Sequence, residues 1–313
     1  MRILICVSGN APNFRFEYNQ VFVYEQIEAI CRLDSSVEYR VFTVVGKGIQ
    51  GYLASLKKLK DTIKEYKPHI IHAHCGQIGA LAVLQRSVPV ITTFHGSDVN
   101  NRKMRPISSF ASLFSASSFF VSNKLKNTQK IKGKDCQVIP CGVDHDVFYP
   151  MDKDDCKKLL GLNPARDYIL FVSDFNNSIK NPELAKAVAS HFPQVDLLEI
   201  KGRTRNEVAW LINGAELVLM TSHSEGSPQI IKEAIACGQR IVTVDVGDVR
   251  EQLDGLPGCR ICNNEESQLV EAVKSVLGSG RVRYDATDRF NNKIIAQIIL
   301  NKYNLISKSN GRL

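Results

Sequence analysis

The chain has 313 residues, of which 44% are hydrophobic and 23% charged, and it carries a net charge of +8 at pH 7. This length accommodates two domains of ordinary size, and the composition excludes a disordered or fibrous protein. The basic balance favours anionic partners, such as phosphorylated ligands, nucleic acid or an acidic membrane surface. No apolar run approaches the ~20 residues of a membrane span. The start, MRILICV, indicates a first strand and not a signal peptide, so we expect a cytoplasmic protein.

The first half alternates apolar strands with amphipathic helices, which predicts a doubly wound parallel α/β sheet. Strands are predicted at 2–7, 38–45, 69–74, 88–94 and near Phe119, with helices at 21–31 and 52–66. The second helix is rich in lysine. This is either a solvated face or a contact for anionic lipid headgroups. The segment 136–150 supplies a strand, a Gly turn and a Pro, and this indicates a domain boundary.

The second half repeats the alternation. Strands are predicted at 168–173, 195–200, 215–220 and 241–246, and helices at 182–191, 207–213 and 268–277. A last amphipathic helix at about 288–305 carries Phe290, Ile294, Ile298 and Leu305 on one stripe.

The stretch 222–238, SHSEGSPQIIKEAIACG, lies between two of these strands and reads as a loop followed by a helix. Ser227 suits the N-cap, Pro228 the first helical position and Gly238 the C-terminal stop. Ligands of open α/β sheets bind at the carboxyl ends of strands, and a helix start suits phosphate. This stretch is therefore the predicted phosphate-binding site.

Two carboxylates, Glu225 and Glu233, frame this anion site. A carboxylate repels phosphate but accepts two hydrogen bonds from a sugar diol, so the pattern favours a sugar nucleotide. The spacing by itself also fits a solvated acidic helix face. The strand, the Pro and the Gly around it favour the binding site.

Further candidates follow two other strands. Lys180 lies in a loop at a strand's carboxyl end, where it is either a surface lysine or a counter-charge for a diphosphate. His95 ends an apolar strand and is either a buried structural residue or a donor to sugar or phosphate. His72 and His74 alternate along one strand, and we interpret them as structural. With only Cys259 and Cys262 in a CxxC among nine cysteines, no metal site is expected.

Several segments together resemble the retaining, group 1 glycosyltransferases of family 4. They are SEGSPQIIKEAIACG with VTVDVGDVRE, TTFHGSDV, HIIHAH, VIPCGVDHDVF and SIKNPELA, and they occur in the family's order over nearly the whole chain. The resemblance implies the GT-B architecture, two Rossmann-like domains that face each other across a cleft. Residues 1–149 would form the acceptor-side domain and residues 150–285 the nucleotide-sugar domain. Residues 286–313 would carry a helix that packs back on the first domain.

The resemblance also implies roles for single residues. Glu225 would hold hydroxyls of the transferred sugar and His95 would approach the donor, as the catalytic pair. Glu233 would bind the ribose diol. Lys180 and the helix start would stabilise the departing diphosphate. The donor-binding residues at that helix start are Gly226, Ser227, Gln229 and Ile230.

The chain departs from the family pattern at three places. Ser173 and Asp174 stand where a Gly-Arg pair is common, so Arg203 is our candidate for the missing phosphate charge. Pro228 has no N–H, so the amides of neighbouring residues must serve. The first loop has Gly9 without a paired glycine; we assign Gly9 and Asp98 to the acceptor side of the cleft.

The sequence therefore predicts a hexosyltransferase-type enzyme (EC 2.4) that uses neither metal nor cofactor. It would move sugar from a nucleoside diphosphate to a glycan or lipid-linked acceptor in polysaccharide biosynthesis, with peripheral contact to the anionic inner membrane face. Two alternatives stay open. One is a sugar-nucleotide epimerase or hydrolase of the same form. The other is a non-enzymatic basic binding protein, although no nucleic-acid-binding motif is present and no nucleic acid partner is expected.

Overall fold

A computed structural model describes residues 1–46, 48–282, 284 and 287–309. It divides into two compact units. The first contains Met1–Gly142 and the helix Asn292–Ser309, and the second contains Val143–Asn291. The boundary predicted between residues 149 and 150 lies a few residues beyond this division. Residue 286 and residues 310–313 of the predicted segment 286–313 lie outside the described residues.

The first unit is built on a six-stranded parallel sheet with the order β2-β1-β3-β4-β5-β6. Its strands are β1 (Arg2–Ser8), β2 (Glu38–Val44), β3 (Ile70–His74), β4 (Val90–Phe94), β5 (Ser117–Phe120) and β6 (Cys136–Val138). Its helices are α1 (Phe16–Asn19), α2 (Val21–Leu33), α3 (Gly48–Tyr66), α4 (Gly76–Val83), α5 (Ser97–Asn100), α6 (Arg105–Phe114) and α7 (Asn123–Thr128). The predicted doubly wound sheet is confirmed.

Both faces of this sheet are covered because side chains alternate along each strand. On β1, Ile3 and Ile5 pack with α2, while Leu4 and Cys6 pack on the opposite side with Leu59 of α3. This explains why the strands read as continuous apolar runs and not as alternating ones.

The second unit contains a five-stranded parallel sheet with the order β11-β10-β9-β7-β8. Its strands are β7 (Asp167–Phe171), β8 (Val195–Leu198), β9 (Leu217–Met220), β10 (Ile241–Val244) and β11 (Cys259–Cys262). Its helices are α8 (Lys153–Leu159), α9 (Pro182–Ser190), α10 (Arg205–Gly214), α11 (Gln229–Ala236), α12 (Val249–Gln252) and α13 (Glu266–Val276). Short 3-10 turns lie at Ser178–Lys180 and Thr287–Phe290.

The helix Asn292–Ser309, here α14, packs against α2 in the first unit. Of the predicted apolar stripe, Phe290 is buried, but it lies in the 3-10 turn before α14. On the helix itself the stripe is wrong by one position, because Ile294, Ile298 and Leu305 are exposed. The buried face holds the residues next along the helix, including Ile295, Ile299, Tyr303 and Ile306. Since both stripes are apolar, periodicity alone could not choose between them.

Across the described ranges, no helix combines the length and the apolar character that a membrane span needs.

Candidate functional site

The chain reverses direction across the second sheet between β7 and β9. From β7 it moves outward to β8, then returns to the other side of β7 and continues through β9 to β11. Such a switch point opens a crevice at the carboxyl ends of the two central strands, where ligands of this fold class bind. Lys180 follows β7 and Glu225 follows β9, so these two predicted site residues flank the switch point.

Lys180 and Glu225 form an ion pair, with Lys180 Nζ 2.6 Å from Glu225 Oε1. Their two loops are also joined through the backbone. His223 N donates to Ile179 O over 2.9 Å, and Thr221 Oγ1 donates to the carbonyl of Lys180. The side chains of the pair are mostly buried, so their attraction is screened less than that of a surface pair. The structure thus brings the predicted sugar carboxylate and the predicted phosphate cation together.

The loop that carries Glu225 packs against the turn that follows β10. Gly247 has φ +57°, and a Cβ there would lie 2.7 Å from the carbonyl oxygen of Gly226. Only glycine permits both this close approach and this backbone conformation. Gln252 Nε2 donates to Ser227 Oγ over 3.2 Å and to Asp248 Oδ1 over 2.6 Å. Burial raises the pKa of the Asp248 carboxyl.

The helix after this loop starts one residue later than predicted. Pro228 is the N-cap, with extended φ and ψ, and α11 begins at Gln229, so the assignment of Ser227 as N-cap is wrong. The hydroxyl of Ser227 instead accepts from Gln252. Gln229 and Ile230 occupy the first helical positions, whose N–H groups have no acceptor within the helix itself. The predicted stop at Gly238 is confirmed, with φ +68°.

Glu233 pairs with a residue that the sequence reading did not select. Arg205 Nη2 lies 2.8 Å from Glu233 Oε1, and the guanidinium stacks 4.5 Å from the ring centroid of Phe148. The Glu233 side chain is only 3% exposed, so this ion pair is largely withdrawn from water on the carboxylate side. Arg205 is the first residue of α10, which follows β8 after a connection of six residues. The sequence signal that could have identified Arg205 was its position in the connection that follows a predicted strand.

Arg203, which we predicted to supply the missing phosphate charge, lies two residues before Arg205 in the chain. Its guanidinium lies 3.0 Å from Glu207 Oε1, and Glu207 also closes a capping box with Thr204. Arg203 thus belongs to the start of α10 in the structure. Arg205 is the nearer cation to the Glu225–Glu233 stretch, because it contacts Glu233 itself.

In the first unit, His95 lies just beyond the carboxyl end of β4 and joins a row of imidazoles. His95 Nε2 is hydrogen-bonded to His74 Nδ1 over 3.1 Å, and His74 stacks on His72 with ring centroids 4.4 Å apart. His72 bonds Tyr303 Oη (2.6 Å) and Thr93 Oγ1 (2.7 Å). Burial lowers the pKa of His72 to about 3 and holds the pKa of His74 well below its usual value, so both are neutral.

Asp98 and Gly9 shape the loops of this edge. The Asp98 carboxylate is buried and accepts from the backbone N–H groups of Gly76 and Gly96, each over 2.9 Å. It therefore ties the turns after β3 and β4 together. Gly9 follows β1, where a Cβ would lie 2.6 Å from the Cβ of Thr43.

No cluster of three or more His, Cys, Asp or Glu side chains with metal-binding geometry is found in the described part of the chain. The nine cysteines all lie in that part and form no disulfide. Cys259 and Cys262 are the ends of β11. Three residues apart on a strand, their side chains point to opposite faces of the sheet, where they pack with different core clusters.

Beside the Glu225 loop, a surface cavity of about 190 Å³ lies at the carboxyl ends of β9, β10 and β11. Its polar lining includes Ser222, His223, Asp245, Asn263 and Asn264. The edge of the second sheet therefore offers hydrogen-bonding side chains next to the ion-paired switch point.

Two sequence families match the chain. The model of Glycosyltransferase Family 4 covers residues 17–147, and that of Glycosyl transferases group 1 covers residues 168–279. The first match contains His95, and the second contains Lys180, Glu225 and Glu233. The chain belongs to the family 4, group 1 glycosyltransferases.

The chain is also similar to individual glycosyltransferases. A Bacillus subtilis protein named for a role in teichuronic acid biosynthesis, the glycosyltransferase TuaC, is 28% identical over 63% of this chain and 57% of its own length. The D-inositol 3-phosphate glycosyltransferase of Mycobacterium ulcerans is 24% identical over 67% of this chain and 56% of its own. The chain thus matches somewhat over half the length of these two relatives.

Solved structures show that the fold is of the GT-B type. Sucrose-phosphate synthase from Thermosynechococcus elongatus superposes with a TM-score of 0.81 at 15% identity, covering 98% of this chain and 99% of that one. Anabaena HepE in complex with UDP and glucose has a TM-score of 0.75 at 16% identity, covering 97% and 99%. A UDP-GlcNAc 2-epimerase from Methanocaldococcus jannaschii has a TM-score of 0.63 at 13% identity, covering 97% and 100%. The predicted fold class is confirmed.

Proposed function

We propose that this glycosyltransferase moves a sugar from a nucleoside diphosphate sugar to a glycan or lipid-linked acceptor, with retention of anomeric configuration. The observation that carries the proposal is the Lys180–Glu225 ion pair at the switch point of the second sheet. It places a cation for phosphate beside a carboxylate for sugar hydroxyls. The HepE complex with UDP and glucose supports a nucleotide-sugar donor.

In this proposal the two ion pairs bind different parts of the donor. Glu233 uses one carboxylate oxygen for Arg205, and a carboxylate has capacity for further donors, so it can also accept from a ribose diol. Glu225 accepts from hydroxyls of the sugar to be transferred. Lys180 is then shared between Glu225 and the diphosphate, where it stabilises the charge that develops as the phosphate departs.

The start of α11 supplies the remaining phosphate contacts. The N–H groups of Gln229 and Ile230 and the positive end of the helix dipole face the loop that carries Gly226 and Ser227. Together with Lys180 they can hold a diphosphate, so we propose a reaction that needs neither metal nor cofactor. The acceptor hydroxyl attacks the anomeric carbon from the face that the leaving phosphate vacates, and a phosphate oxygen takes its proton. His95 hydrogen-bonds the donor sugar.

A ligand screen tests the donor class. UDP, GDP, ADP and their sugars are each added to the full chain, and the change in thermal midpoint is measured. We expect one nucleotide to stabilise the protein, because a ligand that binds only the folded state raises its stability. If none of the nucleotides or sugars shifts the midpoint at millimolar concentration, the proposed donor site is wrong.

Variants then test the site with the donor that the screen identifies. Glu225→Ala should lower transfer on the order of 10³-fold with an unchanged circular dichroism spectrum. Glu271→Ala is a matched control, since Glu271 also pairs with a lysine, Lys274, but lies on α13. Near-normal turnover by Glu225→Ala would reject the assignment. EDTA treatment and the anomeric configuration of the product by NMR test metal independence and retention.

The likeness to a UDP-GlcNAc 2-epimerase favours one second candidate, since an epimerase can be built on the same fold. Donor alone separates the possibilities. An epimerase converts it without acceptor, a hydrolase releases free sugar, and a transferase turns over only when an acceptor, supplied as a lipid or glycan extract, is present.

A further inference from the structure

Helix α6 is packed with its small residues inward. Ser108, Ala111 and Ser112 form its buried face. A Cβ on Gly76 of α4 would lie 2.1 Å from Ser108 Oγ, so the two helices meet at a distance that admits only small side chains. The large residues of α6 are therefore directed away from the core.

The outer face of α6 carries Ile107, Phe110, Leu113 and Phe114, whose exposed fractions are between 39% and 51%. The rings of Phe110 and Phe114 contact each other, with centroids 4.8 Å apart. We call these four residues the α6 patch. Contiguous apolar surface of this kind is costly in water and marks an interaction site, whereas single exposed apolar residues do not.

The segment of the chain that contains the α6 patch is strongly basic, and one arginine lies against the patch itself. The Arg86 guanidinium lies 5.6 Å from the ring centroid of Phe114. Residues 99–134 contain eight Lys and Arg and no Asp or Glu. Part of this segment lies beside α6, because Gln129 Nε2 donates to Ser109 Oγ over 2.7 Å and Gly133 N donates to Ser112 Oγ over 3.0 Å.

We propose that the α6 patch docks on the surface of an anionic lipid bilayer. Its aromatic and aliphatic side chains would enter the boundary between headgroups and acyl chains, and the surrounding Lys and Arg would contact lipid phosphates. Lysine is depleted at protein–protein interfaces, so its abundance here favours lipid over a protein partner. The proposal goes beyond the proposed function and does not depend on it.

This proposal moves the predicted membrane contact from α3 to α6. On α3 the cations Lys57, Lys58, Lys60 and Lys64 are exposed. However, among the α3 side chains that the structure describes, no large apolar one is exposed. Charge without apolar side chains gives only a salt-sensitive attraction, whereas α6 combines both.

The test is sedimentation of the full chain with vesicles of phosphatidylcholine alone or of phosphatidylcholine mixed with anionic phosphatidylglycerol, which gives the vesicle surface a negative potential. The double variant Phe110→Ser with Phe114→Ser is compared with Ile294→Ser with Ile298→Ser. The control pair also removes two exposed apolar side chains four residues apart on a helix of the first unit. Circular dichroism and thermal midpoints verify that both variants fold.

We expect wild type and the α14 control to bind the anionic vesicles, and the α6 variant to bind on the order of tenfold more weakly or worse. Equal binding by all three proteins would overturn the proposal, as would equal loss in both variants. A wild type that ignores vesicles but forms a dimer that the α6 variant abolishes would identify a self-association surface, and this also overturns it. Should the α6 variant not fold, Phe110→Ser alone is measured against Ile298→Ser with the same expectations.

Discussion

At the carboxyl edge of the second sheet, cations and carboxylates are matched in pairs, Lys180 with Glu225 and Arg205 with Glu233. At the corresponding edge of the first sheet, imidazole rings are stacked in a row from His72 through His74 to His95. Both edges belong to doubly wound parallel sheets, so the backbone does not dictate the difference. The comparison shows that side-chain charges are paired at one edge, whereas stacked rings and hydrogen bonds fill the other.

The largest effect should come from breaking the buried pair in the second unit. Arg205→Met leaves the Glu233 carboxylate buried without its partner, which costs about 3–5 kcal/mol of unfolding free energy. Adding Glu233→Gln to the same protein removes the uncompensated charge and should restore much of that loss. Urea unfolding measures both. A single variant within about 1 kcal/mol of wild type would contradict the importance of this pair.

Acid should act on the first unit through its buried histidines. Because burial holds the pKa of His72 at about 3 and lowers that of His74, the unfolded chain binds more protons below pH 6.5. Stability therefore falls as pH drops through that value, by up to about 1.4 kcal/mol per pH unit for each histidine.

Unfolding free energies from pH 7 to pH 5 measure this slope. His74→Leu should reduce it. A slope that His74→Leu does not alter would show that this imidazole is not the group that titrates.

A smaller effect is expected where the turn after β10 supports the Glu225 loop. Gly247→Ala combines a positive φ with a clash against Gly226, and we expect a loss of about 1–3 kcal/mol together with weaker nucleotide binding. Gly255→Ala is the matched control, since Gly255 has φ +71° but no neighbour within 4 Å of its Cβ position. Equal behaviour of the two variants would mean that the contact with the Glu225 loop is unimportant.

The smallest change in stability should follow Lys180→Met. The Glu225 carboxylate left behind is 10% exposed, against 3% for Glu233, so it keeps more contact with water and the loss should stay near about 1 kcal/mol. Lys274→Met on α13 removes one lysine of an exposed pair and is the control. The nucleotide-induced rise in thermal midpoint, in contrast, should shrink for Lys180→Met and persist for Lys274→Met. A rise of wild-type size in Lys180→Met would remove this lysine from the phosphate site.

Local signals in the sequence predicted most of the strands and the position of the Glu225 loop. Apolar runs of four to seven residues located the strands, and Gly238 located the end of α11. Helix α6 was not predicted from the sequence. Its large apolar residues face outward and its small residues face inward, which is the reverse of an ordinary surface helix.

Pairings between distant residues were beyond the sequence alone. Arg205 and Glu233 are 28 residues apart, and their contact depends on where β8 and β9 lie in the sheet. The His74–His95 contact was easier to predict from the sequence, because β3 and β4 are adjacent strands and His74 aligns with Thr93. The order of strands in the sheet decides which distant residues become neighbours, and a single sequence specifies that order only weakly.

The Tyr303 hydroxyl reaches His72 from 231 residues further along the chain. The first unit is thus assembled from two separated segments, while every element of the second unit lies between them. On a ribosome, the second unit can finish folding while the first still lacks α14 and exposes Ile27 and Ile30 of α2. The first unit is therefore begun first and completed last.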